Sequence, residues 1–114
     1  MSCRYIEIST IVHATESLDR VVEGLRYLGD LPIVIEILEG HYGNVIYLLT
    51  SFLENCDDLL KKLCKALGGQ LPAVRDKDGV YYIRLDKQAL IRGVFKVGEH
   101  DDVVRLKIRT KNVC

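Results

Sequence analysis

Near the end of the chain, Val104, Leu106 and Ile108 alternate with Arg105, Lys107, Arg109 and then Lys111. Side chains two apart on a strand share a face, so four cations would stand in one row, about 6.6 Å from one to the next. Such a row repels itself unless an anion lies across it, and the phosphates of a nucleic-acid strand have a comparable spacing. The same residues also suit a basic edge strand that deters edge-to-edge aggregation. "RLDKQALIRG" (84–93) adds Arg84, Lys87, Gln88 and Arg92. Lys87 and Gln88 fall in the first turn of a short helix, where free N–H groups favour phosphate. Asp86 works against this, because as N-cap it would occupy those donors and make the helix structural.

"LEGHYGNVIYLL" (38–49) sets His41 and Tyr42 between Gly40 and Gly43. The Gly-x-x-Gly spacing matches the backbone clamp of KH domains, but that clamp joins two helices and this loop joins two strands. The glycines suit a tight turn with positive φ, and Asn44 is a natural turn residue. Tyr47, Tyr81 and Tyr82 are candidates for stacking on an unpaired base, or half-buried sheet residues. "RGVFKVGE" begins like an RRM strand but lacks its stacking aromatics. "DKDG" begins like a calcium loop, yet Lys87 stands at the twelfth position, where a Glu is required. For catalysis, His13, His41 and His100 are scattered, and no P-loop, G-x-S-x-G or H-E-x-x-H pattern occurs. A non-catalytic chain without cofactor or metal is expected.

These residues sit in a chain of 114 residues, 48% apolar and 28% charged, the profile of one globular domain spanning 1–114. No apolar run approaches the roughly 20 residues of a membrane helix, and "MSCRYIEIST" has no secretory pattern, so a cytoplasmic protein with no membrane partner is expected. The net charge of zero conceals an asymmetry. Residues 1–60 hold three basic and ten acidic side chains, and residues 61–114 thirteen and six, balances of −7 and +7. Such polarity suggests an electrostatic partner, or head-to-tail self-association into a homo-oligomer. Cys56 and Cys64 lie eight residues apart on one helix, roughly 12 Å, too far to bridge. Reduced thiols are expected, with a Cys3–Cys114 bridge left open because it needs the termini to be neighbours.

The elements that position these groups follow from periodicity. "RYIEISTIVHA" (4–14) alternates as a strand, with Ile6, Ile8, Thr10 and Val12 on one face. A helix from Thr15, as N-cap, to Gly29 buries Leu18, Val21, Val22, Leu25 and Leu28. "IVIEIL" after Pro32 and "VIYLLTSF" form a hairpin. A second helix runs from near Asn55 to Gly68-Gly69, with Leu59, Leu60, Leu63, Cys64 and Leu67 inward. A hairpin turns at Asp78-Gly79, a short helix runs from Asp86 to Gly93, and a last hairpin pairs "GVFKV" with "DVVRLKIRT". The order β-α-β-β-α-β-β-(short α)-β-β predicts an α+β fold, two main helices on one face of a mostly antiparallel sheet.

Four segments, "ISTIVHATES", "LEGHYGNVIYLL", "YYIRLDKQALIRG" and "DDVVRLKIRT", occur in the order seen in a family of archaeal predicted exosome-subunit, or RNA-binding, proteins, which the chain resembles from Ile8 to Thr110. The GHYGN and RLDKQA pieces are its specific part. The resemblance implies a fold similar to a double-stranded-RNA-binding domain and to the ribosomal protein that holds 5S rRNA. It also implies binding of structured or double-stranded RNA, in association with exosome or ribosome-linked proteins. Carried over by position, it nominates His41, Tyr42, Gly43 and Asn44; Arg84, Asp86, Lys87 and Gln88; and the row from Arg105 to Arg109. The chain departs from the family at Val45, where proline is favoured, and at "ALIRG", where a potential stacking aromatic gives way to a segment carrying Arg92. A second reading of the same features is a protein-interaction subunit of an RNA-processing or ribosome-linked complex that does not touch RNA.

Overall fold

The computed structural model describes residues 3–40, 43–69 and 74–111. Strand β1 (Cys3–His13) alternates as its sequence dictates, burying Ile6, Ile8, Thr10 and Val12. Helix α1 (Leu18–Arg26) starts two residues later than predicted. Ser17, not Thr15, is the cap, its side chain accepting from the Arg20 N–H at 3.4 Å. Thr15 lies in a turn closed by the Glu16 N–H donating to the His13 carbonyl at 2.9 Å. Strands β2 (Ile33–Glu39) and β3 (Val45–Glu54) form the expected hairpin. Its two glycines are needed for different reasons. Gly43 has φ 77°, whereas Gly40 allows a close approach, since a Cβ there would stand 3.1 Å from the Asn44 carbonyl oxygen and would displace the Ile46 side chain. His41 and Tyr42, nominated from this loop, lie outside the described residues.

Helix α2 (Asp57–Ala66) is followed by strands β4 (Val74–Arg75) and β5 (Val80–Asp86), helix α3 (Lys87–Ile91) and strand β6 (Val103–Thr110). The six strands form one sheet in the order β2-β3-β1-β6-β5-β4, and every pairing is antiparallel. Leu25 of α1, Leu63 of α2 and Leu90 of α3 join Ile6, Ile8, Leu49, Leu85, Leu106 and Ile108 in a single core. The α+β reading, with helices on one face, therefore holds.

The last predicted hairpin takes another form. "GVFKV" does not pair with β6; it returns along β5. The Asp86 N–H donates to the Lys96 carbonyl at 2.7 Å and the Gly98 N–H to the Arg84 carbonyl at 2.9 Å, with Val97 bridging Leu85. Strand β6 has both its edges engaged, by β1 and β5, so it has none left for a hairpin partner. The short β4 leaves the far end of β5 unpaired, and residues 96–98 cover it.

The cysteines also correct the sequence reading. Cys3 and Cys56 form a disulfide with Cα atoms 5.3 Å apart, and Cys64 is disulfide-bonded as well. The β1–β3 ladder pairs Tyr5 with Glu54, and extending it by two positions brings Cys3 opposite Cys56. Spacing along the chain, 53 residues, gave no sign of this. Among the described residues, no helix is long and apolar enough to cross a membrane.

Candidate nucleic-acid interface

The core occupies one face of the sheet, and among the described residues no helix covers the other. On that open face, cross-strand partners stand side by side, so the ladders can be read as rows running across the strands. One row contains Phe52, Glu7, Lys107 and Tyr82; the next contains Thr50, Ser9, Arg105 and Arg84. Arg109 follows in the row of Glu54, Tyr5 and Val80. Arg105, Lys107 and Arg109 thus share a face, as the alternation requires, and Arg84 joins them directly opposite Arg105. Because β6 is central, aggregation control at an edge does not account for its charges.

Like charges directly opposite one another destabilise a sheet. Among the described residues, neither Arg84, Arg105 nor Arg109 has an ion pair that would relieve this. Lys107 has only a loose one, 3.8 Å from Glu7, with both side chains about half exposed. The charge asymmetry of the sequence also acquires a location. The first sixty residues build β2, β3 and β1, the rest build β6, β5 and β4, and the divide runs down the middle of the sheet.

The other nominated cations do not join this patch. Lys87 is 2% exposed, and its Nζ lies 2.9 Å from Glu16 Oε1, 2.7 Å from Asp102 Oδ1 and 2.8 Å from the Ile11 carbonyl. It is a buried tie between the β1–α1 turn and the start of β6, with no donor face towards a phosphate. Gln88 is held beside it, donating to Asp102 Oδ2 at 3.0 Å. Asp86 caps the helix through the Ala89 N–H at 2.9 Å, the structural role that its position allowed. Burial opposes ionisation of Asp102, but the hydrogen bonds from Lys87 and Gln88 outweigh it and hold its carboxyl below the ordinary value. Arg92 is exposed at the end of α3, in the helical layer behind the sheet. Asn44 is exposed in the β2–β3 loop, beyond the end of β1, and Arg105 pairs with Ser9, about 14 Å back along that strand. Lys87, Gln88, Arg92 and Asn44 are therefore separate from the cation row.

The structure adds aromatic side chains that the sequence reading missed. Tyr5 and Phe52 stack on the open face, ring centroids 5.4 Å apart, and Phe52 is 48% exposed. Of the three tyrosines considered for stacking, Tyr47 and Tyr81 pack against the core, and only Tyr82 lies on this face. Desolvation and a 3.2 Å hydrogen bond to Asp76 push the Tyr82 hydroxyl above its ordinary value. Asp76 is held below its own mainly by the Val80 N–H, with help from the Asp78 N–H. Phe52, Tyr82, Arg84, Arg105 and Lys107 line a cleft of about 790 Å³, closed at the β5 edge by Val74, Val97 and Gly98. Alternation along β1 and β3 could have turned Tyr5 and Phe52 each away from the core, but only the register between the strands brings the rings together.

The class defined is an α+β domain whose antiparallel sheet has a helical layer on one side and a basic, aromatic cleft on the other. The chain belongs to the RNA-binding family, whose model matches residues 5–110. It is 34% identical to an RNA-binding protein of Pyrococcus abyssi, over 93% of this chain and 80% of that one. It is 30% identical to an uncharacterised protein of Methanocaldococcus jannaschii, over 88% and 79%. Among solved structures, a DUF54 protein of Methanothermobacter thermautotrophicus superimposes with a TM-score of 0.81 at 25% identity, covering 98% of this chain and 88% of that chain.

Proposed function

We propose that this chain is a non-catalytic RNA-binding domain that holds the phosphates of a structured RNA on the open face of its sheet. One observation carries the reading. Arg84 and Arg105 face each other on adjacent strands, between Lys107 and the 96–98 arm, with no ion pair among the described residues, a placement that costs stability unless an anion occupies it. Family membership supports RNA as the source of that anion. Of the structured and double-stranded RNA that the sequence reading left open, the cleft favours a folded RNA, whose backbone can enter a concavity. A cytoplasmic setting belongs to the same proposal. The Cys3–Cys56 bridge makes this a demanding setting, since disulfides persist mainly in oxidising compartments and, as an exception, inside hyperthermophiles.

The test is fluorescence anisotropy with a labelled RNA hairpin at about 50 mM salt, where phosphate contacts are strongest. Binding should weaken steeply as salt rises. Arg84→Glu with Arg105→Glu should abolish it while the melting temperature stays nearly constant. Absence of binding by the unaltered chain at low salt would sink the proposal.

A second reading, docking in an RNA-processing or ribosome-linked assembly such as the exosome, has its own observation. The outer strand β2 exposes Val34, Ile35, Ile37 and Leu38 on both its faces, a free edge with apolar flanks. Partners that survive RNase treatment in a pull-down, and are lost with Ile35→Lys and Ile37→Lys, would favour it.

A further inference from the structure

We infer that the cleft on the open face takes unpaired nucleotides, with bases stacked on Phe52 and Tyr82 and the connecting backbone crossing Arg105, Lys107 and Arg84. This rests on the RNA binding proposed above and specifies which part of an RNA is held. Phe52 and Tyr82 stand in one row across the sheet, separated by Glu7 and Lys107, so three strand spacings, about 14 Å, lie between them. Both rings are close to half exposed. Tyr5 backs Phe52 by stacking on it, and Asp76 anchors the Tyr82 hydroxyl. Each ring is thus braced from one side and open to the cleft, which makes it a platform and not a loose surface aromatic.

The arrangement distinguishes bases from backbone. A site that reads only phosphate needs cations and gains nothing from exposed apolar rings. Here the rings and the cations alternate within one concavity, the pattern of single-strand sites, where each base–aromatic stack adds to the electrostatic hold. A duplex keeps its base faces in its own stack and can offer these rings no π surface. At about 790 Å³ the cleft lies within the range of small-ligand sites, and it suits a few splayed nucleotides. Glu7 stands in the middle of the row, but its 3.8 Å contact with Lys107 is long and exposed and leaves Lys107 able to meet a phosphate; among the described residues Arg105 and Arg84 have no ion pair.

The chain contains no tryptophan, so Phe52→Trp places a sole tryptophan in the cleft, a reporter that red-edge excitation separates from the six tyrosines. The probes are an oligouridine of about twelve nucleotides and an RNA duplex of the same length, titrated against the full chain. Oligouridine should bind more tightly than the duplex and quench the reporter. Phe52→Leu and Tyr82→Leu should each weaken oligouridine about 5- to 100-fold, with the salt dependence retained, because stacking and not charge is removed. Equal or tighter duplex binding, an unquenched reporter, or leucine variants that bind normally would each overturn the inference and leave phosphate-led RNA binding in place. Failure of both probes and of the hairpin at low salt would overturn the RNA reading itself.

Discussion

Lys87 and Arg105 carry the same charge and were nominated together for the same work, yet the fold treats them in opposite ways. Lys87 is buried between Glu16 and Asp102, with the Ile11 carbonyl as a third acceptor. Arg105 is exposed, faces another arginine, and has no ion pair among the described residues. The first cation is satisfied by the protein and holds it together. The second is left for something else to satisfy. A positive side chain in a promising segment is therefore a candidate ligand contact only when its neighbours do not neutralise it first.

The sharpest way to break this comparison is to remove Lys87. Lys87→Ala leaves two carboxylates facing a carbonyl in a largely buried site, and should cost about 3–5 kcal/mol in chemical denaturation. Arg105→Ala should stay within about 0.5 kcal/mol of the parent. If the two variants lose similar stability, the contrast is false. Asp102→Asn, which removes the more exposed of the two carboxylates, should cost less, about 1 kcal/mol.

The pH dependence of that loss sharpens the point. Asp102 has its carboxyl held below the ordinary value of 3.8, so its stabilisation is complete above 3.8 and disappears as the pH falls through the lower, folded value. The difference in stability between the parent and Asp102→Asn should shrink as the pH drops below 3.8 in a denaturation series. The smallest stability effect belongs to Lys107→Ala, below about 0.5 kcal/mol, because its pair with Glu7 is exposed and long. That same variant should lower the magnitude of the salt slope of RNA binding by about one, which separates its role from that of Lys87.

Much of the fold was legible because it depends on local periodicity. Alternation in β1 and β6 fixed their buried faces, the leucine stripe of α2 fixed its inward side, and Asp86 and Gly93 marked the two ends of α3. Less of the site was legible. Arg105, Lys107 and Arg109 could be aligned from spacing alone, since they share one strand. Tyr5 with Phe52, and Arg84 with Arg105, required knowing which strands are neighbours and in what register. The misplaced last strand had the same origin: the residues of "GVFKV" suit a strand, but whether β6 has an edge free for it depends on the whole sheet order.

The sequence by itself determined most of the secondary elements, the row of cations on β6 and the opposed charges of the two halves. Tertiary structure alone decided that Cys3 meets Cys56, that Lys87 is consumed between Glu16 and Asp102, and that the acidic and basic halves meet along the seam between β1 and β6. The physical reason is that side-chain period is a property of a few consecutive residues. Register and neighbour identity arise only when distant segments close against one another, and these decide which charges are paired and which remain free.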